Sequence, residues 1–218
     1  MHQGRQALKR EEKNALTRQR IVDAAMEEFA HKGYERASLN EACAGRGFSK
    51  GIIYHYFRDK DELYLLCVQL CFDEMTAALQ QAAQTLQGPA GAQLQAYFDA
   101  RNRFFAGHPL HLGLFVDASF DPPAALAGRI RACRSAFDAL NLAVLQELLQ
   151  ARPLRPGISA ETVAEDLRLY MDALNSGFRA ALREGRPAAE LLREHEERSR
   201  RYIDILLYGV LEERDERS

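Results

Sequence analysis

The stretch GFSKGIIYHYFRDKDEL, residues 47–63, contains two aromatic pairs, a histidine and three basic residues within one short span. If its middle is helical, the 3.6-residue period divides the side chains between two halves. One half is apolar and suited to a core, and it holds Ile52, Ile53, Tyr56 and Phe57. The other half can meet phosphates or base edges, and it holds Lys50, Gly51, Tyr54 and His55. Taken one at a time, these polar residues are explained as well by ordinary solvation of an exposed helix. The neighbouring residues therefore decide whether together they form a surface for phosphates or base edges.

The residues before this stretch predict two further helices and the turns that join them. The first helix is expected over about residues 17–31, followed by Gly33 in the left-handed conformation that ends a helix. Its inner face is expected to hold Ile21, Ala25 and Phe29. Ser38 and Glu41 have the spacing of a capping box for a second helix, and Ser49 can cap the third. Helix, tight turn and helix in this order have the spacing of a helix-turn-helix.

These residues resemble the signature of the TetR family of transcriptional regulators. The signature ends the first helix with Phe-x-x-x-Gly-Tyr/Phe and places Thr or Ser before the second. It continues with Gly-Val-Ser-x-Gly-x-x-Tyr-x-x-Phe-x-x-Lys-x-x-Leu. The matching residues here are Phe29, Gly33, Tyr34, Ser38, Tyr54, Phe57, Lys60 and Leu63. The resemblance covers roughly residues 17–65 and rests on many fixed positions at fixed spacing.

The resemblance implies an all-α protein with an N-terminal three-helix helix-turn-helix domain and a larger helical domain for effector binding and dimerisation. The expected divisions are a flexible basic arm over 1–16, the DNA-binding domain over 17–62 and the larger domain over 63–218. The implied DNA-binding residues are Ser38, Ser49, Lys50, Gly51, Tyr54, His55 and Lys60. The arm carries Arg5, Lys9, Arg10 and Lys13, and it either contacts DNA or is a solvated tail.

Beyond residue 63 the apolar periodicity predicts helices almost throughout, which gives about nine in the whole chain. Asp59 and Glu62 predict the start of a long fourth helix that reaches about residue 85. Further helices are expected at about 91–107, 110–119, 122–151, 159–185 and 187–212. Ser159 can cap the second-last of these, and Pro187 can open the last.

Apolar stripes on the last two helices predict either a monomer core or a dimer interface. The resemblance implies a two-fold dimer built as a four-helix bundle, and one short recognition helix reads too few bases to be specific alone. The expected interface residues are Met171, Leu174, Ile203, Leu206, Leu207 and Val210.

The larger domain mixes polar side chains with apolar neighbours, which favours a pocket for a mainly apolar small molecule. The candidate ligand-binding residues are Arg101, Phe105, His111, Phe115, Arg134, Phe137, Tyr170, Asn175 and Phe178. Core packing or surface exposure explains each of them as well. No cofactor and no metal ion is expected, because two histidines around a proline in HPLH, residues 108–111, lack a third ligand nearby.

The composition and charge agree with this interpretation. The chain has 218 residues and a net charge of −2, but residues 1–60 carry 12 Lys and Arg against 8 Asp and Glu. The remaining 158 residues carry 17 against 23 and are therefore acidic. A basic N-terminal part on an acidic body is expected of a nucleic-acid reader joined to another domain. The polar N-terminus and the absence of long apolar runs predict a cytoplasmic protein.

Two other classes of function compete with a DNA-binding regulator. An enzyme is disfavoured because no glycine-rich phosphate loop, no H-E-x-x-H and no G-x-S-x-G is present. Cys67 and Cys71 lie four residues apart, and packing explains them better than metal or redox chemistry. A helical small-molecule carrier would not need the basic helix-turn-helix. The sequence therefore predicts a ligand-responsive repressor that a small molecule releases from a palindromic operator. The alternatives are a helical small-molecule-binding protein and a transcriptional activator without effector-induced release.

Overall fold

The computed structural model describes residues 2–150 and 153–210, with side chains from Glu11 onward except those of Ala188 and Val210. Every regular element in this part of the chain is helical, so the predicted all-α class is confirmed. The ten α-helices are α1 (His2–Arg36), α2 (Leu39–Cys43), α3 (Lys50–Tyr56), α4 (Lys60–Ala83), α5 (Ala90–Gly107), α6 (Pro109–Phe120), α7 (Ala127–Cys133), α8 (Ser135–Gln150), α9 (Ala160–Arg183) and α10 (Ala188–Val210). A short 3₁₀ turn, Ala124–Leu126, precedes α7.

The chain divides into two compact units, and α4 contributes to both. The N-terminal unit comprises Met1–Cys71 with Pro109–Cys133, and the C-terminal unit comprises Phe72–His108 with Arg134–Ser218. The sequence predicted a functional boundary between residues 62 and 63. Because the compact units are defined by packing rather than by function, that boundary stays a prediction. The packing nevertheless places α6 and α7 in the same unit as the helix-turn-helix.

The N-terminal unit is built around the apolar faces of α1 and α4. Ile21, Ala25 and Phe29 are completely buried, as their spacing on the predicted inner face requires. Leu63 and Tyr64 of α4 are equally buried, and the Tyr64 ring meets the Phe29 ring edge-on at 5.1 Å between centroids. Helix α6 packs along α1. This core gives the short helices α2 and α3 a rigid support.

The C-terminal unit packs α9 against α10, α10 against α5, and α8 against both α5 and α9. Its interior contains an aromatic contact between Phe72 and Phe137, with centroids 5.8 Å apart. The Ser159 hydroxyl accepts a hydrogen bond from the Thr162 N–H at 3.1 Å, so the predicted cap of α9 is confirmed. The unit has its own hydrophobic core, as a separate compact body requires.

Three sequence-based expectations about the helices are wrong. Helix α1 begins at His2 rather than near residue 17, because residues 2–16 are rich in Arg, Gln, Ala, Leu, Lys and Glu, which favour helix. The segment expected as one helix over about 122–151 is divided into a 3₁₀ turn, α7 and α8. The break between α7 and α8 coincides with the boundary between the two compact units.

The third error concerns the capping box at the start of α2. The Ser38 side chain makes no capping hydrogen bond. Its N–H donates to Glu28 Oε1 at 2.9 Å, while the Glu41 carboxylate pairs with Lys32 instead of reaching back to Ser38. Burial raises the pKa of Glu28, but the hydrogen bonds from Ser38 and Lys32 outweigh it and leave the pKa lowered. A tertiary partner on α1 therefore replaces the local cap.

Candidate nucleic-acid interface

The helix-turn-helix is held in shape by a small apolar core and by contacts with α1. Leu39 and Ala42 of α2 and Ile53 of α3 are buried. Between the helices, Gly45 and Gly47 adopt φ values of 69° and 73°, which side chains other than glycine rarely adopt. The turn is fixed to α1, because Arg20 Nη2 donates to the Arg46 carbonyl at 2.7 Å and Arg46 forms an ion pair with Glu27.

The outer face of α3 is exposed over one continuous surface, which we call the recognition face. It consists of Ser49, Lys50, Gly51, Tyr54 and His55, and all five are exposed. The Lys50 ammonium lies 5.7 Å from the centroid of the Tyr54 ring, whose residue is 47% exposed. A Cβ added at Gly51 would meet no atom nearer than Ser49 Oγ at 3.7 Å, so the glycine leaves the helix surface open.

Cationic, phenolic and imidazole groups with an accessible backbone are the groups that bind phosphates and base edges. The recognition face presents them on a helix that is narrow enough to enter a major groove. Ser49 occupies the N-cap position of α3 with extended backbone, and its hydroxyl makes no capping hydrogen bond. The structure thus brings together five of the residues that the sequence predicted.

The other two predicted DNA-binding residues, Ser38 and Lys60, are half-buried beside this face. Lys60 lies in the first turn of α4, and its ammonium is 4.5 Å from the centroid of the Tyr34 ring. Helix α4 begins with the predicted cap, because Asp59 Oδ1 accepts from the Glu62 N–H at 2.8 Å. That bond, and the ion pair with Arg58, lower the pKa of Asp59. The seven residues keep their assignment to DNA binding as a prediction.

Two further contacts join α1 to α3 and were missed by the sequence interpretation. Asn14 Oδ1 accepts a hydrogen bond from Tyr56 Oη at 3.3 Å, and the Arg18 guanidinium carbon lies 5.1 Å from the Phe57 ring centroid. The continuous helix propensity of residues 2–16 was the available signal. The side chains of Arg5, Lys9 and Arg10 lie outside the described residues, whereas Lys13 is exposed.

The candidate ligand-binding residues are divided between the two units. His111 and Phe115 are buried in the N-terminal unit, and the other seven belong to the C-terminal unit. Three of those seven contact α10, at His195 or Glu196. Arg101 Nε donates to Glu196 Oε1 at 2.9 Å, and Asn175 Oδ1 lies 2.8 Å from His195 Nε2. The Phe178 ring meets the His195 ring edge-on at 5.8 Å.

The side chains of Arg101, His195 and Glu196 are largely removed from water. The Arg101 and Glu196 side chains are only 13% and 6% exposed. Burial, helped by the positive charges of Arg101 and Arg198, lowers the pKa of His195 to about 4. His195 is therefore a neutral imidazole near pH 7. The remaining candidates lie elsewhere: Phe105 against Phe104, Arg134 paired with Asp138, Phe137 against Phe72 and Tyr170 stacked on Tyr202.

The expected dimer-interface residues differ in exposure. Leu207 is 3% exposed and is a core residue, so its assignment to an interface is corrected. Met171, Leu174, Ile203 and Leu206 are half-buried, and the Val210 side chain lies outside the described residues. The large apolar residues that do face outward are Leu169, Ile205 and Tyr208, which are 54%, 64% and 74% exposed. The assignment of Met171, Leu174, Ile203, Leu206 and Val210 to a dimer interface stays a prediction.

Two searches over the described side chains and helices gave negative results. Within them, no group of three or more His, Cys, Asp or Glu is arranged to hold a metal ion. No described helix has both the length and the apolar composition needed to cross a bilayer.

Residues 21–67 match the family model of bacterial regulatory proteins of the tetR family. The transcriptional activator FasR of Mycolicibacterium smegmatis is 29% identical over 153 residues, which are 67% of this chain and 68% of FasR. The repressor Rv1474c of Mycobacterium tuberculosis is 36% identical over 63 residues, 29% of this chain and 34% of that protein. The chain thus matches only about a third of that second relative.

Solved structures resemble most of the chain. A TetR family regulator from Chloroflexus aurantiacus shares 26% identity and a TM-score of 0.56, covering 90% of this chain and 94% of that one. The regulator FadR from Bacillus subtilis, in complex with stearoyl-CoA, shares the fold at 15% identity and a TM-score of 0.61, covering 88% and 98%. The matched segment is the one that carries the recognition face. Residues 21–67 therefore carry a DNA-binding domain of the tetR family, and most of the chain is similar in fold to TetR family transcriptional regulators.

Proposed function

We propose that this protein is a dimeric repressor that binds a palindromic operator and is released by a small-molecule effector. The observation that carries the proposal is the recognition face, in which Lys50, Tyr54 and His55 stand exposed on a helix anchored by a buried core. A major-groove helix of this length reads only a few base pairs, so specificity requires two copies.

The support for a homodimer comes from the outward faces of α9 and α10. Leu169, Ala173 and Gly177 are exposed at four-residue spacing on α9, and Ile205 and Gly209 are exposed at the same spacing on α10. A Cβ added at Gly177 or Gly209 would meet nothing within 4 Å. Exposed large apolar residues beside open glycines suit close helix packing with an identical pair of helices. Two copies would then form a four-helix bundle about a two-fold axis.

The effector is proposed to be a mainly apolar molecule with an anionic group. The support is the cluster around His195, where the buried cation of Arg101 lies over the Phe98 ring and the Phe178 ring meets the His195 ring. A guanidinium in apolar surroundings binds carboxylates and phosphates strongly, although Glu196 holds it in this arrangement. An anionic effector would compete with Glu196 for Arg101. The FadR structure with stearoyl-CoA supplies one concrete ligand of this chemistry to test.

Activation is the alternative mode, and one observation favours it. FasR, which is 29% identical over 67% of this chain, is an activator. Repressor and activator use the same recognition face and differ in where the operator lies relative to the promoter. A transcription assay with the purified protein on its own operator separates them, because a repressor lowers transcript yield and an activator raises it.

A mobility-shift assay with DNA flanking the protein's own coding region tests DNA binding. We expect a specific complex that unlabelled random duplex does not displace at equal concentration, and we expect Lys50→Ala to weaken it. Arg168→Ala is the matched control, because it removes an exposed cation from α9 in the other unit. The proposal fails if no flanking or selected duplex binds better than random DNA.

A thermal-shift screen of fatty acids, acyl-CoA thioesters and aromatic acids tests the effector. A ligand that prefers the released state must weaken operator binding, and operator must weaken ligand binding by the same factor. Typical couplings are about 1–3 kcal/mol. A ligand that stabilises the protein yet leaves operator affinity unchanged at saturation would contradict effector release by that site.

A further inference from the structure

Helix α6 meets the end of α1 at two points one helical turn apart. At the first, a Cβ added to Gly113 would lie 2.2 Å from the Ala30 carbonyl oxygen, so the two backbones are in direct contact. At the second, a Cβ added to Gly33 would lie 2.5 Å from Asp117 Oδ1. Gly33 has a φ of 70° and breaks the helical path of α1 there. Both glycines are thus required for the approach of α6.

Asp117 uses this approach to hold two tyrosines of the N-terminal unit. Its Oδ2 accepts a hydrogen bond from Tyr64 Oη at 2.6 Å and another from the Tyr34 N–H at 3.1 Å. Burial raises the pKa of Asp117, and the two hydrogen bonds offset part of that rise. Glu35 and Asp121 also face the carboxylate and raise its pKa further. The carboxylate is therefore placed by specific bonds in a site that is costly for a charge.

Tyr34, which Asp117 binds, also contacts the first turn of α4, where Lys60 lies. The Tyr34 and Tyr64 rings meet edge-on at 4.9 Å between centroids. Tyr34 Oη donates to the Asp61 carboxylate, and burial together with that bond raises the pKa of Tyr34 to about 12. The Tyr34 ring lies under the Lys60 ammonium. A chain of contacts therefore runs from Asp117 through Tyr34 to the first turn of α4.

We propose that Asp117 is a positioning residue for DNA binding, which fixes Tyr34 and Tyr64 and thereby places Lys60 against the operator phosphate. This inference rests on the proposed DNA contact of Lys60. It extends the DNA-binding machinery to a residue on α6, more than fifty positions beyond the recognition face, and it explains why α6 packs with the helix-turn-helix.

The test measures operator affinity of the full-length protein as a function of salt for Asp117→Ala, Asp117→Asn and Tyr64→Phe. Asp117→Ala removes the oxygen that accepts both hydrogen bonds, so we expect at least a tenfold weaker operator complex. Its salt slope should fall by about one counterion per monomer, because Lys60 is no longer held against phosphate. Asp117→Asn keeps an acceptor oxygen and should recover most of the affinity. Glu147→Gln is the matched control, because it removes an exposed carboxylate from α8, away from Asp117 and its partners.

A double-mutant cycle with Lys60→Ala separates positioning from general destabilisation. If Asp117 acts through Lys60, the loss caused by Lys60→Ala should nearly vanish in the Asp117→Ala background. Full additivity with an unchanged salt slope would overturn the inference. If the Asp117→Ala protein does not fold, the double-mutant cycle is measured with Tyr64→Phe and Lys60→Ala instead, and the same outcomes support or overturn the inference. A wild-type protein that binds operator through Lys60, with Asp117 variants equally active, would refute only this inference. Failure of the wild type to bind DNA would refute the proposed function itself.

Discussion

The helix-turn-helix and the pair α9 and α10 distribute polar and apolar side chains in opposite ways. The helix-turn-helix buries apolar groups such as Ile53 and exposes Lys50 and Tyr54. The last two helices bury His195, Glu196 and Ser199 and expose Leu169, Ile205 and Tyr208. The first surface is stable in water and suits a charged polar partner. The second leaves apolar area in water, and a second copy of the same surface would remove it.

A charge placed in the exposed apolar surface of α9 and α10 should have the largest effect on operator binding. Ile205→Glu would place a charge in the interface of each copy without a partner, at a cost of several kcal/mol per copy. We expect the variant to be monomeric by sedimentation and to bind operator at least about 100-fold more weakly, because one recognition helix remains. Leu142→Glu, which changes another exposed leucine on α8, is the control and should stay dimeric. A dimeric Ile205→Glu protein with normal operator affinity would place the interface elsewhere.

Truncating the buried side of the same helix should act on stability rather than on assembly. Leu207 is 3% exposed, so Leu207→Ala should lower the free energy of unfolding by about 2–5 kcal/mol. Denaturant titration measures that loss. At temperatures where the variant is folded, sedimentation should still report a dimer. A folded monomer would mean that Leu207 lies in the interface after all.

The buried histidine should make stability depend on pH. The pKa of His195 is lowered from 6.5 to about 4, so the unfolded chain binds a proton more readily than the folded chain between those values. The stability linked to the neutral His195 is fully present above pH 6.5. As the pH falls towards 4, the free energy of unfolding decreases by about 3 kcal/mol in all. His195→Gln should reduce that loss, whereas His31→Gln, at an exposed histidine, should not. Equal pH profiles for wild type and His195→Gln would exclude a buried neutral imidazole.

Removing the predicted phosphate contact of Lys60 should have the smallest effect on operator binding. Lys60→Ala should weaken operator and random duplex by similar factors and lower the salt slope by about one counterion per monomer. Titrations at several salt concentrations give both quantities, with Arg168→Ala as the control. An unchanged salt slope in Lys60→Ala would show that Lys60 does not contact a phosphate.

Local signals in the sequence predicted the elements whose partners lie nearby. Gly33 has the positive φ that a helix end requires, and Asp59 and Ser159 form the expected caps. Ser38 failed as a cap because its partner, Glu28, is on another helix. Asp117 had no local signal either, since its bonds to Tyr34 and Tyr64 exist only after α6 packs on α1.

The assignment of Leu207 to a dimer interface failed for a different reason. Helix α10 carries apolar residues on two faces, with Leu207 turned inward and Ile205 turned outward. Periodicity identifies a stripe but does not say whether a core or a second copy covers it. The recognition face was easier to predict because its polar groups follow a signature at fixed spacing and require no knowledge of long-range packing.

Helix α3 is proposed to read a specific DNA sequence. The most direct test is the ratio of dissociation constants for a scrambled duplex and for an operator selected from random DNA, measured with the full-length protein at physiological salt. For the wild type the ratio should be at least about 10³. Lys50→Ala should lower that ratio at least about tenfold, because it removes a contact at the base edges. A wild-type ratio near one, or an undiminished ratio in Lys50→Ala, would contradict sequence reading by the recognition face.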